Sequence, residues 1–209
     1  QRDATLMGIH NRALLVVPDG MPTVWVGRAR GQARMGRVYG PDMMLEVCRR
    51  SVAQGRTHFL FGGNEGVADD LAARLRRRFP GIQIVGTYTP PFRPLNVQEE
   101  RGLTDRVAEL RPDYFWVGLS TPKQERFMAA ALDRLDTKVM FGVGAAFDIH
   151  TGRTKDAPDW MKNAGLQWFY RLCQEPRRLY KRYLINNPRF VYGIVLQFLG
   201  LKRFQMDVR

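Results

Sequence analysis

A chain of 209 residues, 44% of them apolar, has room for one α/β domain with an appendage and little room for two full domains. The same composition excludes disorder as the dominant state. With 33 Lys+Arg against 20 Asp+Glu, the formal charge of +13 points to an anionic partner (nucleic acid, acidic lipid or a phosphorylated substrate) without choosing among them.

The chain opens on Gln1-Arg2-Asp3, without an initiator Met or a signal-peptide core, so further residues are expected upstream. Helical spacing begins at once, with Leu6, Ile9 and Ala13 on one side. Five short apolar runs then read as buried parallel strands: Leu14–Val17, His58–Phe61, Ile82–Val85, Tyr114–Val117 and Val139–Gly142. Helical patterns lie at Pro41–Gln54, Gly66–Phe79, Glu99–Leu110 and Gln124–Leu135. The second ends in a basic run, Arg74 and Arg76-Arg77-Arg78, which suits a helix C-terminus. This alternation predicts an α/β fold of Rossmann-like type, a parallel sheet with helices on both faces, over residues 1–158. Residues 159–209 read as a helical basic appendage. From Arg171 onward, nine Lys/Arg against two Asp/Glu give +7. No run of 18 apolar residues exists, so no transmembrane helix is expected. Cys48 and Cys173 are far apart in no metal-like spacing and read as reduced and structural. His10, His58 and His150 form no ligand pattern, so no metal site is expected.

Four loops follow predicted strands, where open α/β sheets bind ligands. Pro18-Asp19-Gly20 offers a carboxylate that can act as general base toward a substrate hydroxyl. A turn aspartate bonding its own backbone explains the same tripeptide. Gly62-Gly63-Asn64-Glu65-Gly66 runs from strand to helix and suits a phosphate at a helix N-terminus, or a plain turn. It is neither a Walker loop nor a Rossmann fingerprint. In Ser120-Thr121-Pro122-Lys123-Gln124-Glu125 a hydroxyl can cap the next helix, Gln124 and Glu125 fall in its first turn, and Lys123 brings positive charge for an anionic group. Gly142-Val143-Gly144 leaves room for a ligand, and Asp148 can bind a hydroxyl pair or cap a helix.

In order, Asp19-Gly20, Gly40-Pro41-Asp42, Gly62-Gly63, Phe79-Pro80-Gly81, Pro122-Lys123-Gln124-Glu125, Gly142-Val143-Gly144 with Phe147-Asp148-Ile149-His150-Thr151-Gly152, and Gly165-Leu166-Gln167-Trp168 through Glu175-Pro176-Arg177-Arg178 resemble the WecG/TagA/CpsF family of bacterial glycosyltransferases, glycosyltransferase family 26. The likeness runs from about Arg2 to Phe190. It implies an inverting, metal-independent transfer of N-acetylmannosamine, its uronic acid or glucose. The donor would be a UDP-sugar and the acceptor undecaprenyl-diphosphate-linked, in surface polysaccharide synthesis. No cofactor is implied beyond the UDP-sugar substrate.

The resemblance makes Asp19 the catalytic base and Gln124 an active-site amide near the donor. Gly62, Gly63, Gly142, Gly144 and Asp148 would shape the nucleotide-sugar pocket, with Pro41 and Asp42 beside the base. Gly20, Asn64, Lys123 and Glu125 complete the expected substrate-binding set. Arg177, Arg178, Lys181, Arg182 and Arg189 are expected to meet anionic headgroups or the acceptor diphosphate at the cytoplasmic face of the plasma membrane, with the protein peripheral. A helical hairpin with a solvated basic face explains the same residues. The chain departs from the family pattern in three ways: it begins after the family's N-terminal strand, it has Lys155-Asp156-Ala157-Pro158 where Arg-Ala-Pro is usual, and it has Gln167 for a common Glu. A nucleic-acid-binding module and a non-catalytic membrane scaffold remain alternatives, although no RRM, KH or zinc pattern supports the first. An apolar tail face would serve a homo-oligomer as well as a bilayer.

Overall fold

The computed structural model describes residues 3–201, with the side chains of Arg178 and Arg182 also outside the described set. In chain order the elements are α1 (Ala4–Arg12), α2 (Met21–Ala29), α3 (Gly40–Gln54), β1 (Thr57–Gly62), α4 (Val67–Arg78), β2 (Gln83–Tyr88), α5 (Val97–Leu110), β3 (Tyr114–Gly118), α6 (Lys123–Ala131), β4 (Val139–Gly142), α7 (Ala146–His150), α8 (Asp159–Asn163), α9 (Gln167–Gln174) and α10 (Pro176–Phe198). They form two compact units. One comprises Gln1–Val16 with Tyr39–Lys155; the other comprises Val17–Val38 with Asp156–Arg209. Residues 17–38, including the unanticipated helix α2, thus cluster with the C-terminal helices.

The first unit is a parallel sheet in the order β2-β1-β3-β4. Its strands alternate as period-2 geometry requires. Leu60 and Trp116 point to one face, where Met44, Cys48, Val67, Leu71, Leu75 and Phe147 from α3, α4 and α7 meet them. Phe59, Phe61, Phe115 and Val117 point to the other, against Leu103 and Val107 of α5 and Ala131 of α6. The Rossmann-like expectation therefore holds: one parallel sheet carries helices on both faces.

Local chemistry sets the element ends. Asp3 caps α1 by accepting the Leu6 N–H at 2.9 Å. Asn96 and Glu99 form a reciprocal capping box on α5. Gly55 ends α3 in the left-handed region at φ 61°. Asp113, at the foot of β3, accepts the Thr57 N–H at 2.9 Å and pairs with Lys138 at 2.6 Å and Arg56 at 3.2 Å. The Lys138 ammonium, followed by the backbone N–H, holds its carboxyl well below the usual carboxylate range.

The run Leu14–Val17 is not a strand. Leu14 is 93% exposed and Leu15 76% exposed. None of β1–β4 pairs with it. Strand propensity describes what fits a pleated surface; without a neighbour for its backbone groups, such a run stays outside the sheet. Two further readings shift. Helix α6 stops at Ala131, short of Leu135. Both cysteines are free thiols, but only Cys48 is packed; Cys173 is exposed on α9. Burial pushes the Cys48 thiol up to about 12.

In the second unit, Val24 of α2 is fully buried, as are Ala157, Met161 and Leu179 in most of their surface. Gly165, at φ +71°, lets the chain pass the Trp25 ring: a Cβ there would lie 2.7 Å from it. Trp168 of α9 packs against Tyr183 of α10.

Candidate active site at the C-terminal strand ends

In the first unit, β1 is followed by α4 on one face of the sheet, and its neighbour β3 is followed by α6 on the other. The chain therefore parts in opposite directions above β1 and β3. Such a switch point opens a crevice outside the carboxyl ends of an α/β sheet.

Glycines line this crevice because backbones meet there. Gly62, at φ +133°, ends β1; a Cβ on it would lie 2.5 Å from the Gly118 carbonyl oxygen at the end of β3. The next residue, Gly63, donates its N–H to that same oxygen at 3.1 Å. A Cβ on Gly118 would strike the buried Phe147 ring at 2.6 Å. One on Gly40, at the start of α3, would lie 3.2 Å from the Val143 carbonyl oxygen. The loops after β1, β3 and β4 and the first turn of α3 are thus drawn together.

Gln124 locks two of these loops. Its Oε1 accepts the Gly144 N–H at 3.0 Å, and its Nε2 donates to Glu125 Oε1 at 3.2 Å. The side chain lies over Gly142, whose missing Cβ would be 3.1 Å from Nε2. Glu125 Oε1 also accepts from the Thr121 hydroxyl at 2.9 Å. Thr121 therefore bonds the Glu125 side chain and is not the cap that a hydroxyl here could have formed; Pro122 occupies the N-cap position and α6 has no side-chain cap. Glu125 Oε2 is buried with no hydrogen-bond partner among the described residues. An unmatched carboxylate oxygen beside a crevice is a place for a ligand hydroxyl.

Of the sequence-derived set, Pro41, Gly62, Gly63, Gln124, Glu125, Gly142 and Gly144 belong to this constellation. Pro41 is buried, and its carbonyl oxygen is 3.0 Å from His150 Nε2. Asp42 is exposed in the first turn of α3, Asn64 is exposed in the loop before α4, and Lys123 is exposed as the first residue of α6. Asp148 is half-buried in α7, with its carbonyl oxygen accepting the Arg153 and Thr154 N–H groups. Gly118, at the head of the third loop, and Gly40, in the Gly40-Pro41-Asp42 motif, had been given no site role; their signal was a glycine at a strand end or helix start facing another glycine-rich loop.

Asp19 and Gly20 belong to the second unit. Asp19 is exposed, and Gly20 is the N-cap residue of α2. Because the preceding run is not a strand, Asp19 follows no strand end and stands before helix α2. Within this unit Arg37 Nη1 donates to Gln167 Oε1 at 3.1 Å, so the neutral Gln167 keeps a defined partner. Asp156, in Lys155-Asp156-Ala157-Pro158, accepts the Ala157 N–H at 2.8 Å and pairs with Lys162 at 3.0 Å. Lys162 also pairs with Asp159 at 2.8 Å. Arg177, Lys181 and Arg189 are exposed on α10; nothing is described for the side chains of Arg178 and Arg182. Among the described residues no group of three His, Cys, Asp or Glu is placed to hold a metal ion.

A parallel α/β sheet with a glycine-lined crevice at its switch point defines a class of proteins that bind small ligands above the strand ends. A sequence profile of the glycosyl transferase WecG/TagA/CpsF family matches residues 1–204. The chain belongs to that family and is a glycosyltransferase of the hexosyltransferase type. It is 29% identical over 187 residues to an N-acetylglucosaminyldiphosphoundecaprenol N-acetyl-beta-D-mannosaminyltransferase of Bacillus spizizenii strain W23, covering 90% of this chain and 70% of the relative. A protein of the same name from Bacillus subtilis strain 168 is 27% identical over 203 residues, covering 97% of this chain and 77% of the relative.

Proposed function

We propose that this protein transfers an N-acetylmannosaminyl group from a UDP-sugar to a polyprenyl-diphosphate-linked N-acetylglucosamine, in the building of a cell-envelope polysaccharide. The observation that carries this reading is the named activity of both relatives, over 90% and 97% of this chain. In the reaction Asp19 takes the proton of the acceptor hydroxyl. The freed oxygen bonds to the anomeric carbon from the side opposite UDP, the carbon–oxygen bond to the diphosphate breaks, and the configuration inverts. Gln124 orients the donor: one Nε2 hydrogen is used by Glu125, and we assign the other to a donor oxygen. Glu125 Oε2 accepts from a sugar hydroxyl. Lys123 and the glycine-rich backbone offset diphosphate charge without a metal.

The acceptor lies in a membrane, and α10 suits its surface. Among the described residues no helix is long and apolar enough to cross a membrane. Phe190, Val191, Tyr192, Val195 and Phe198 are exposed towards the C-terminal end of α10, and Arg177, Lys181 and Arg189 are exposed along the helix before them. Each cation near an anionic leaflet is worth about 1 kcal/mol, enough in sum for reversible, peripheral recruitment.

A screen of UDP-sugars against polyprenyl-diphosphate-N-acetylglucosamine, with and without EDTA, tests the reading. UDP-N-acetylmannosamine should be the preferred donor, and EDTA should change the rate less than twofold. Preference for a uronic acid or glucose donor would replace the sugar assignment, and loss of activity in EDTA would remove the metal-free mechanism.

A further inference from the structure

One strongly charged feature of the first unit is not used in the transfer proposed above. The last turns of α4 carry Arg74, Arg76, Arg77 and Arg78. Residues 71, 74, 75 and 78 share one helix face through their spacing of three and four. That face borders a groove of about 340 Å³, floored by Leu45 of α3 with Leu71 and Leu75, and rimmed by Arg74, Arg77 and Arg78. His150 of α7 stands at its edge, and no carboxylate lines it.

The cations differ in what they hold. Arg74 pairs with Asp70 at 2.9 Å. Arg76 donates to the Ile84 carbonyl at 2.8 Å. Arg77 and Arg78 have no carboxylate partner among the described residues; the Arg78 guanidinium lies over the Phe79 ring at 5.7 Å. Compensation of the helix dipole explains cations in a last turn. It does not explain a leucine-floored groove between them.

We propose that this groove seats an anionic phospholipid of the bilayer. Guanidinium forks match phosphate oxygens in shape and charge. Arg77 and Arg78 take the phosphate, and the half-buried Leu45 with the arginine methylenes takes the first acyl carbons, backed by the buried Leu71 and Leu75. A free phosphate has no use for the apolar floor. An RNA strand stacks its bases chiefly on broad aromatic faces, and no Phe, Tyr or Trp lines this groove. The site shares the membrane setting of the proposed function but depends neither on the transfer reaction nor on α10.

The test uses the full chain and dihexanoyl phosphatidylglycerol below its micelle concentration, with binding followed by ligand-observed NMR. Dihexanoyl phosphatidylcholine, inorganic phosphate and a short RNA serve as the other probes. The phosphatidylglycerol should bind at least about tenfold more tightly than each of them. Arg77→Gln with Arg78→Gln should weaken it roughly 30-fold. Leu45→Glu, which puts a carboxylate on the floor, should abolish it, with folding checked by circular dichroism. Arg101→Gln, on α5 across the sheet, should leave it within twofold. Equal binding of the two lipids, equal binding of phosphate or RNA, or an unchanged affinity in the Arg77/Arg78 variant would each overturn the proposal. No sugar nucleotide is present, so failure here is separate from failure of the transferase assay.

Discussion

Gln124 accepts the Gly144 N–H at 3.0 Å, and this one bond joins the first turn of α6 to the loop after β4. Two motifs 20 residues apart in sequence thereby become one wall of the crevice. The amide is suited to this because its oxygen takes the backbone donor while its nitrogen serves an acceptor; a carboxylate could not do both.

Gln124→Ala should therefore disconnect the wall without unfolding the protein. The side chain is half-buried and outside both apolar clusters. A misplacement of about 1 Å at such a site costs on the order of 100-fold in rate. The expected result is a turnover loss of that size with a melting temperature within a few degrees of the parent, read by a transfer assay and a thermal scan.

Gly62→Ala should act on stability. Its backbone lies in the left-handed half of φ space and its Cβ would meet a carbonyl oxygen, which cannot swing away as a side chain does. A cost of about 2–3 kcal/mol is expected, seen as a lower urea midpoint. Gly86→Ala is a useful contrast: its Cβ would meet the Phe59 ring at 2.5 Å on the opposite side of the sheet from α4, and so should disturb packing away from the crevice.

Much of this was legible beforehand. His58–Phe61, Tyr114–Val117 and Val139–Gly142 are β-rich runs bounded by glycine or loop residues, and all three are strands. Leu14–Val17 has the same composition and is not one, because composition does not supply a neighbour. The glycines at 62, 63, 142 and 144 were visible as loop residues. Their purpose was not, since the clash of Gly62 with Gly118 depends on two distant strands becoming adjacent. The pairing of Gln124 with Gly144 was hidden for the same reason. Helix α2 was missed because Pro22 and Gly27 dilute its pattern, while the buried Val24 and the Trp25–Gly165 approach give it a place.

A buried polar chain sets a pH limit on stability. Trp116 Nε1 donates to His58 Nδ1 at 2.9 Å, so the proton of the neutral imidazole sits on Nε2, which donates to Ser51 Oγ at 2.7 Å; Ser51 in turn donates to the Cys48 carbonyl at 2.7 Å. Burial pushes the His58 imidazole down to about 4 from 6.5, against a smaller opposing pull from Asp113. The unfolded chain takes up this proton from about 6.5 downward and the folded chain only near 4, so stability falls as pH drops through that window. The full effect is about 3 kcal/mol. Urea titrations at about pH 7 and about pH 4.5 should show the loss, and a His58→Gln variant should show a shallower slope across the same range.

The tail predicts a salt-sensitive membrane contact. Replacing Arg177, Lys181 and Arg189 with Gln should cut binding to vesicles containing phosphatidylglycerol by about 100-fold at low salt. Flotation at about 50 mM and about 500 mM salt measures it, and the difference between variant and parent should shrink at the higher salt.

The assignment of Asp19 as the base in a hexosyl transfer is probed most sharply by Asp19→Asn, assayed with UDP-N-acetylmannosamine and polyprenyl-diphosphate-N-acetylglucosamine beside a UDP-binding measurement. Loss of a general base costs about 10²–10⁴ in rate. A fall of that size is expected, with UDP affinity within about twofold of the parent. Transfer at the parental rate by the Asp19→Asn variant would exclude Asp19 as the base.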